Sequence, residues 1–312
     1  MEDSAAKFIN NLPDNLLNIK TPIRLDVVLE GGLFNGSFHA GVLFFLKEME
    51  KRNIVKVERI SGASIGSLMA FLYFSNNLNV SSDLYNLIYT TFKKNHNLKI
   101  IKQLNKILSG KISENICDIV DKRLYITYYN VKTGKKHVKK TYKNTGVLIN
   151  TIIKSCFVPY LIDGNMLYEN KYVDGINPHI FKHVQDKRVL YVDLFGYDKV
   201  FHFYNIKNEK SNEHRMLAGL LDIHNFFVKQ HSTSMCSYVD NWNLTHHLYY
   251  YIKILIEKLC IFGIIIILRV NQMLPFNSST TLMHKITSTI ISKIISKILP
   301  EVLVLLLDTY CI

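Results

Sequence analysis

The chain has 312 residues, of which 48% are hydrophobic and 20% charged, with 14 glycines and 6 prolines. That composition belongs to a packed globular chain long enough for one large domain with an appendage, and it excludes disordered, collagenous and low-complexity classes. A balance of 38 Lys and Arg against 25 Asp and Glu leaves +13, which favours phosphate-bearing partners, nucleic acid or anionic lipid, without choosing between them.

Residues 1–22 read as a polar lead-in ended by Pro22, with no apolar leader segment. Ile23–Leu29 is rich in branched residues and predicts a strand, broken by Glu30-Gly31-Gly32. From Gly36 to Arg52 the apolar residues Phe38, Val42, Phe45, Leu46 and Met49 recur at helical spacing. Val55–Ile60 predicts a second strand and Ile65–Phe74 a second, nearly all-apolar helix. This βαβα opening predicts an α/β fold, a mostly parallel central sheet flanked by helices.

Residues 83–122 read as helical and lysine-rich, Leu124–Asn130 and His137–Tyr142 as a hairpin, and 188–195 as a buried strand. Beyond a boundary at 200–212 the pattern is helical, so the expected division is a lead-in (1–22), a catalytic domain (23–200) and a helical C-terminal region (201–312). Within that region, 282–299 has the pattern of a basic amphipathic helix suited to a membrane surface. The longest apolar run, Leu259–Leu268, is bounded by Lys258 and Arg269, well short of the roughly 20 residues needed to cross a bilayer.

Five cysteines, Cys117, Cys156, Cys236, Cys260 and Cys311, are widely spaced and form no CxxC pair. They point away from a disulfide framework or zinc site and toward a reducing, cytoplasmic setting. The histidines at 224–231 and 246–247 lack carboxylate or thiol neighbours at ligand spacing. No metal and no cofactor are expected. The lysines of the hairpin, Lys132, Lys135, Lys136, Lys139, Lys140 and Lys143, read as a solvated or membrane-facing surface, and no nucleic-acid module accompanies them.

Three segments carry chemistry. Gly62-Ala63-Ser64-Ile65-Gly66 is a G-x-S-x-G motif between a predicted strand and a predicted helix, the setting of a nucleophile elbow, with the helix dipole aimed at developing negative charge. Upstream, Glu30-Gly31-Gly32-Leu33-Phe34-Asn35-Gly36 also joins a strand to a helix and can turn several backbone N–H groups toward one point, a cradle for a phosphate or an oxyanion. A dinucleotide fingerprint would need a glycine where Leu33 stands. Downstream, Tyr172-Val173-Asp174-Gly175 is an Asp-Gly turn followed by Ile176-Asn177-Pro178-His179.

In this order the segments resemble the patatin-like phospholipase family, whose pattern is a glycine-rich loop, then G-x-S-x-G, then D-G-[GA]. The stretch Ser155-Cys156-Phe157-Val158-Pro159 adds to the likeness, which covers about residues 24–196. The resemblance implies a catalytic dyad, Ser64 as nucleophile and Asp174 as base. It also implies an oxyanion hole in the loop holding Gly31, Gly32, Leu33, Asn35 and Gly36, elbow glycines at Gly62 and Gly66, and Gly175 in the turn after the base. The expected activity is hydrolysis of ester-linked acyl chains of phospholipid or neutral lipid by a cytoplasmic, peripherally membrane-associated enzyme on an anionic membrane surface. The alternatives are a lipid-binding module on the same fold, an acyltransferase, or a Ser-His-Asp esterase using His179 or His183. Asp163-Gly164 is a second Asp-Gly pair. Leu33 and Asn35 depart from the family pattern, which has Gly and Arg or Lys there; with Asn35 as a weaker donor or loop holder, the expectation is a slow hydrolase that Asn35→Arg would accelerate.

Overall fold

The computed structural model describes residues 1–194 and 212–273; the amphipathic segment 282–299 and all but the last residue of the expected boundary at 200–212 lie outside them. The helices are α1 (Glu2–Ile9), α2 (Asp14–Leu17), α3 (Gly36–Lys51), α4 (Ile65–Phe74), α5 (Ser81–Asn95), α6 (Leu104–Ile107), α7 (Ile116–Val120), α8 (Thr145–Ser155), α9 (Asn212–Lys229) and α10 (Leu244–Met273). The strands are β1 (Ile23–Leu29), β2 (Val55–Ala63), β3 (Leu124–Asn130), β4 (Lys135–Lys139), β5 (Tyr172–Asp174), β6 (Arg188–Val192) and β7 (Cys236–Tyr238).

One sheet runs β4-β3-β2-β1-β6-β7, with β5 paired to β3. The centre, β3-β2-β1-β6, is parallel, and β4, β5 and β7 are antiparallel additions. Alternation along β1 explains the layering: Leu25, Val27 and Leu29 enter the main core beneath α3 and α4, whereas Val28 joins Phe181, Val189 and Tyr191 on the opposite face. Asp26, buried on β1, is held by the Arg59 guanidinium from its register partner position on β2. A buried carboxylate is tolerated there because its charge is paired.

The α/β architecture read from the sequence is the one observed. Several local details differ. The lysine-rich stretch 83–122 breaks into pieces because His96 ends α5 at φ 52 and Gly110 turns at φ 76. The second hairpin strand lies at 135–139, and Tyr142 instead folds back, its hydroxyl donating to the carbonyls of Leu124 and Lys139. Beyond the expected boundary the chain is also not purely helical. β7 extends the main sheet beside β6, and α9 buries Met216, Leu220, Ile223, Phe226 and Phe227 in the main core. A three-residue strand carries too little periodicity to be read from sequence.

Candidate active site

β3 is the template on which the site is assembled. Its residue Thr127 pairs with Ala63 at the end of β2, and its next residue, Tyr128, pairs with Asp174 at the end of β5. Ser64, one residue beyond Ala63, and Asp174 are therefore delivered to neighbouring points of one strand. Ser155 fastens the junction: its hydroxyl accepts from the Ser64 N–H at 2.9 Å and donates to the Thr127 carbonyl at 2.7 Å. Gly175 lies so close to β3 that a Cβ there would stand 2.2 Å from the Thr127 oxygen.

Ser64 sits between β2 and α4 at φ 51, ψ −129, a backbone state that costs a non-glycine residue about 1–3 kcal/mol and that clusters at functional sites. The turn is possible because nothing projects from its flanks. A Cβ on Gly62 would meet the backbone of Gly66 at 2.5 Å, and one on Gly66 would meet the Leu29 carbonyl at 2.4 Å. The Ser67 hydroxyl donates to the Ser64 carbonyl at 2.7 Å and helps to hold the strained residue.

Asp174 is buried, and burial pushes its carboxyl up to about 6. The Ser64 hydroxyl and the Ile176 N–H, which donates at 2.8 Å, act in the opposite direction, and the Glu257 carboxylate adds a further upward push. Ile176 reaches this position at φ 57, unusual for a β-branched residue, so the tertiary structure pays in strain for a donor at the carboxylate.

The loop after β1 divides in two. Gly31 and Gly32 line a cleft of about 530 Å³ together with Ser64 and Asp174. Gly36, Phe34 and Ser37 line a narrow, almost wholly apolar pocket that also begins at Ser64 and continues past Leu68, Met69, Leu84 and Ile88. Leu33–Asn35 form a single 3-10 turn in which the Asn35 N–H donates to the Gly32 carbonyl at 2.8 Å, so that amide is committed within the loop. The Asn35 side chain faces α9, where its oxygen accepts from the buried Arg215 at 3.3 Å.

Three contributors were invisible in the sequence. From α10, Lys253 bridges Glu30 at 2.6 Å and Asp193 at 2.9 Å, at the ends of β1 and β6. Burial and the Asp193 charge push Glu30 up to about 8 against the pull of Lys253. One turn further on, the buried Glu257 accepts from Tyr129, Lys136 and Asn177. Arg215 on α9 is the third. Motifs reveal chain-local chemistry, and these residues come from helices with no motif of their own.

The other candidates are engaged elsewhere. His179 stacks on Tyr125, His183 contacts Asp240 at 2.9 Å, and neither lines the cleft. Asp163 pairs with Lys102 and caps its own turn through Asn165. Among the described residues no group of three His, Cys, Asp or Glu side chains could hold a metal ion, and no helix is long and apolar enough to cross a membrane. No curated protein matches the chain. Residues 27–176, from β1 to just past the Asp174-Gly175 turn, match the family model Patatin-like phospholipase, and the mixed sheet flanked by helices is consistent with the α/β fold of that family.

Proposed function

We propose that this protein is a lipid acyl hydrolase that cleaves ester-linked fatty acyl chains from phospholipid or neutral lipid through an acyl-serine. The observation that carries this reading is Ser64, held in a strained turn beside a buried Asp174 where an apolar pocket meets a wider cleft. Asp174 takes the Ser64 proton as the hydroxyl oxygen attacks the ester carbonyl carbon. Gly31 and Gly32, on the cleft wall, offer backbone N–H groups to the tetrahedral oxyanion. The intermediate collapses with cleavage of the carbonyl–oxygen bond, and Asp174 returns its proton to the departing alcohol. Water, deprotonated by Asp174, then attacks the acyl-serine carbonyl; the second tetrahedral intermediate collapses with cleavage of the bond to the Ser64 oxygen, which takes the proton back from Asp174 as the fatty acid leaves. The apolar pocket suits an acyl chain, and the cleft suits the rest of the lipid.

Release of free fatty acid from phospholipid vesicles by wild type, with loss in Ser64→Ala and Asp174→Asn, tests the reading. A covalent adduct of a fluorophosphonate probe at Ser64 is expected in wild type. Equal background release in all three proteins, with no adduct, would replace the hydrolase by a lipid-binding module.

A further inference from the structure

α10 is apolar on both sides: Ile261, Ile264, Ile265 and Leu268 pack on the domain beside Tyr129, Val131 and Val173, and a second apolar face points away from it. Its contacts with the domain include charges: Lys253 reaches Glu30 and Asp193, and Glu257 reaches Lys136. Its outward side is apolar. Leu244, Leu248, Leu255, Leu259, Phe262 and Ile266 recur at three, four and seven residues, which places them in one stripe about 33 Å long, and they are 43% to 84% exposed. A soluble surface rarely carries a continuous apolar stripe of that length without a partner.

We propose that this stripe is a docking face for a lipid bilayer, with α10 lying flat in the interface so that the cleft holding Ser64 and Asp174 opens into lipid. The proposal rests on the acyl-hydrolase reading for its choice of occupant, and three observations support that choice. Ile252 and Ile256 are exposed yet also line the cleft, so the apolar face runs without interruption to the mouth of the site. The helix has two further charged residues, Lys258 and Arg269, both exposed and both positive, suited to anionic headgroups on a chain of net charge +13. Although α10 has 30 residues, Lys253, Glu257, Lys258 and Arg269 interrupt it, and no described helix is long and apolar enough to cross a membrane, which suits a helix lying in the interface.

The full chain carrying Ser64→Ala separates docking from catalysis. Mixed with vesicles of phosphatidylcholine and phosphatidylserine, it is expected to co-sediment, more at higher phosphatidylserine content and less in high salt. Leu255→Glu with Phe262→Glu, neither of which lines the cleft, should lower vesicle partitioning at least tenfold. In the Ser64 background this same pair should leave hydrolysis of a short-chain, water-soluble ester within about twofold of wild type, which also certifies the fold. Unchanged vesicle binding in the double variant overturns the proposal. So does gel filtration showing a wild-type dimer that the double variant converts to monomer while vesicle binding persists, since a second copy then covers the stripe. If wild type never hydrolyses the soluble ester, the hydrolase reading fails while co-sedimentation still decides the docking face.

Discussion

The Arg215 guanidinium on α9, buried at 3% exposure, donates to the side-chain oxygen of Asn35 at 3.3 Å and lies 3.5 Å from the Phe34 carbonyl. A cation therefore stands beside the glycine loop although the loop itself carries none. Asn35 serves as an acceptor for that cation, and the sequence-based expectation that Asn35→Arg would speed the enzyme reverses. A second guanidinium placed beside the buried Arg215 is repelled by it. Asn35→Arg should lower the melting temperature and give no gain in kcat. Arg215→Ala, which leaves two loop oxygens without their donor, should destabilise by about 1–3 kcal/mol and lower kcat; Arg215→Lys should recover part of both. Thermal denaturation and ester hydrolysis on the same preparations measure the two effects.

The proposed dyad of Ser64 and Asp174 has a kinetic signature. Ser64→Ala and Asp174→Asn should each remove acyl hydrolysis, and the double variant should be no worse than either single one, because residues that act as a unit are non-additive. His179→Ala and His183→Ala should retain most activity, since His179 is stacked on Tyr125 and His183 is bound to Asp240. A histidine variant as inactive as Asp174→Asn, with an intact circular dichroism spectrum, would install a triad instead.

Asp174 must be ionised to take a proton, and its carboxyl is raised to about 6. Hydrolysis of a soluble ester should therefore fall as pH drops through about 6 and level off above it. Glu257 contributes to the upward shift, so Glu257→Gln should move that limb to lower pH. Stability has the opposite sense. A group raised from 3.8 to about 6 on folding stabilises fully below the lower value and loses that contribution as pH rises through the upper one. At pH 8 the buried carboxylate thus weighs against folding by about 3 kcal/mol. Asp174→Asn should be inactive yet more stable at pH 8, with the gain disappearing near pH 4 in denaturant titrations.

Gly175→Ala tests the close approach of β5 to β3. A methyl group 2.2 Å from the Thr127 oxygen cannot be accommodated without backbone movement, and the strand that must move carries Asp174. A loss of about 2–4 kcal/mol together with most of the activity is expected. Gly164→Ala is the control. It has φ +79 but nothing within 4 Å of the added carbon, so the cost should be about 1–2 kcal/mol with activity kept.

The parts of this protein whose physics is local are legible in its amino-acid sequence. Branched runs at 23–29 and 55–60, apolar residues at helical spacing after Gly36, and glycines flanking Ser64 fixed the βαβα opening and the sharp turn, because each depends on neighbours a few residues away. The Asp-Gly turn at 174 was equally legible. What surrounds those turns is set by long-range packing. β3 aligned Ser64 with Asp174 through consecutive register positions, α9 brought Arg215 to Asn35, and α10 brought Lys253 to Glu30 and Glu257 to Lys136. A lone Lys or Glu on an apolar helix gives no sign of its partner, since pairing across a long stretch of chain is set by packing and by the need to neutralise buried charge, neither of which has a period in the sequence.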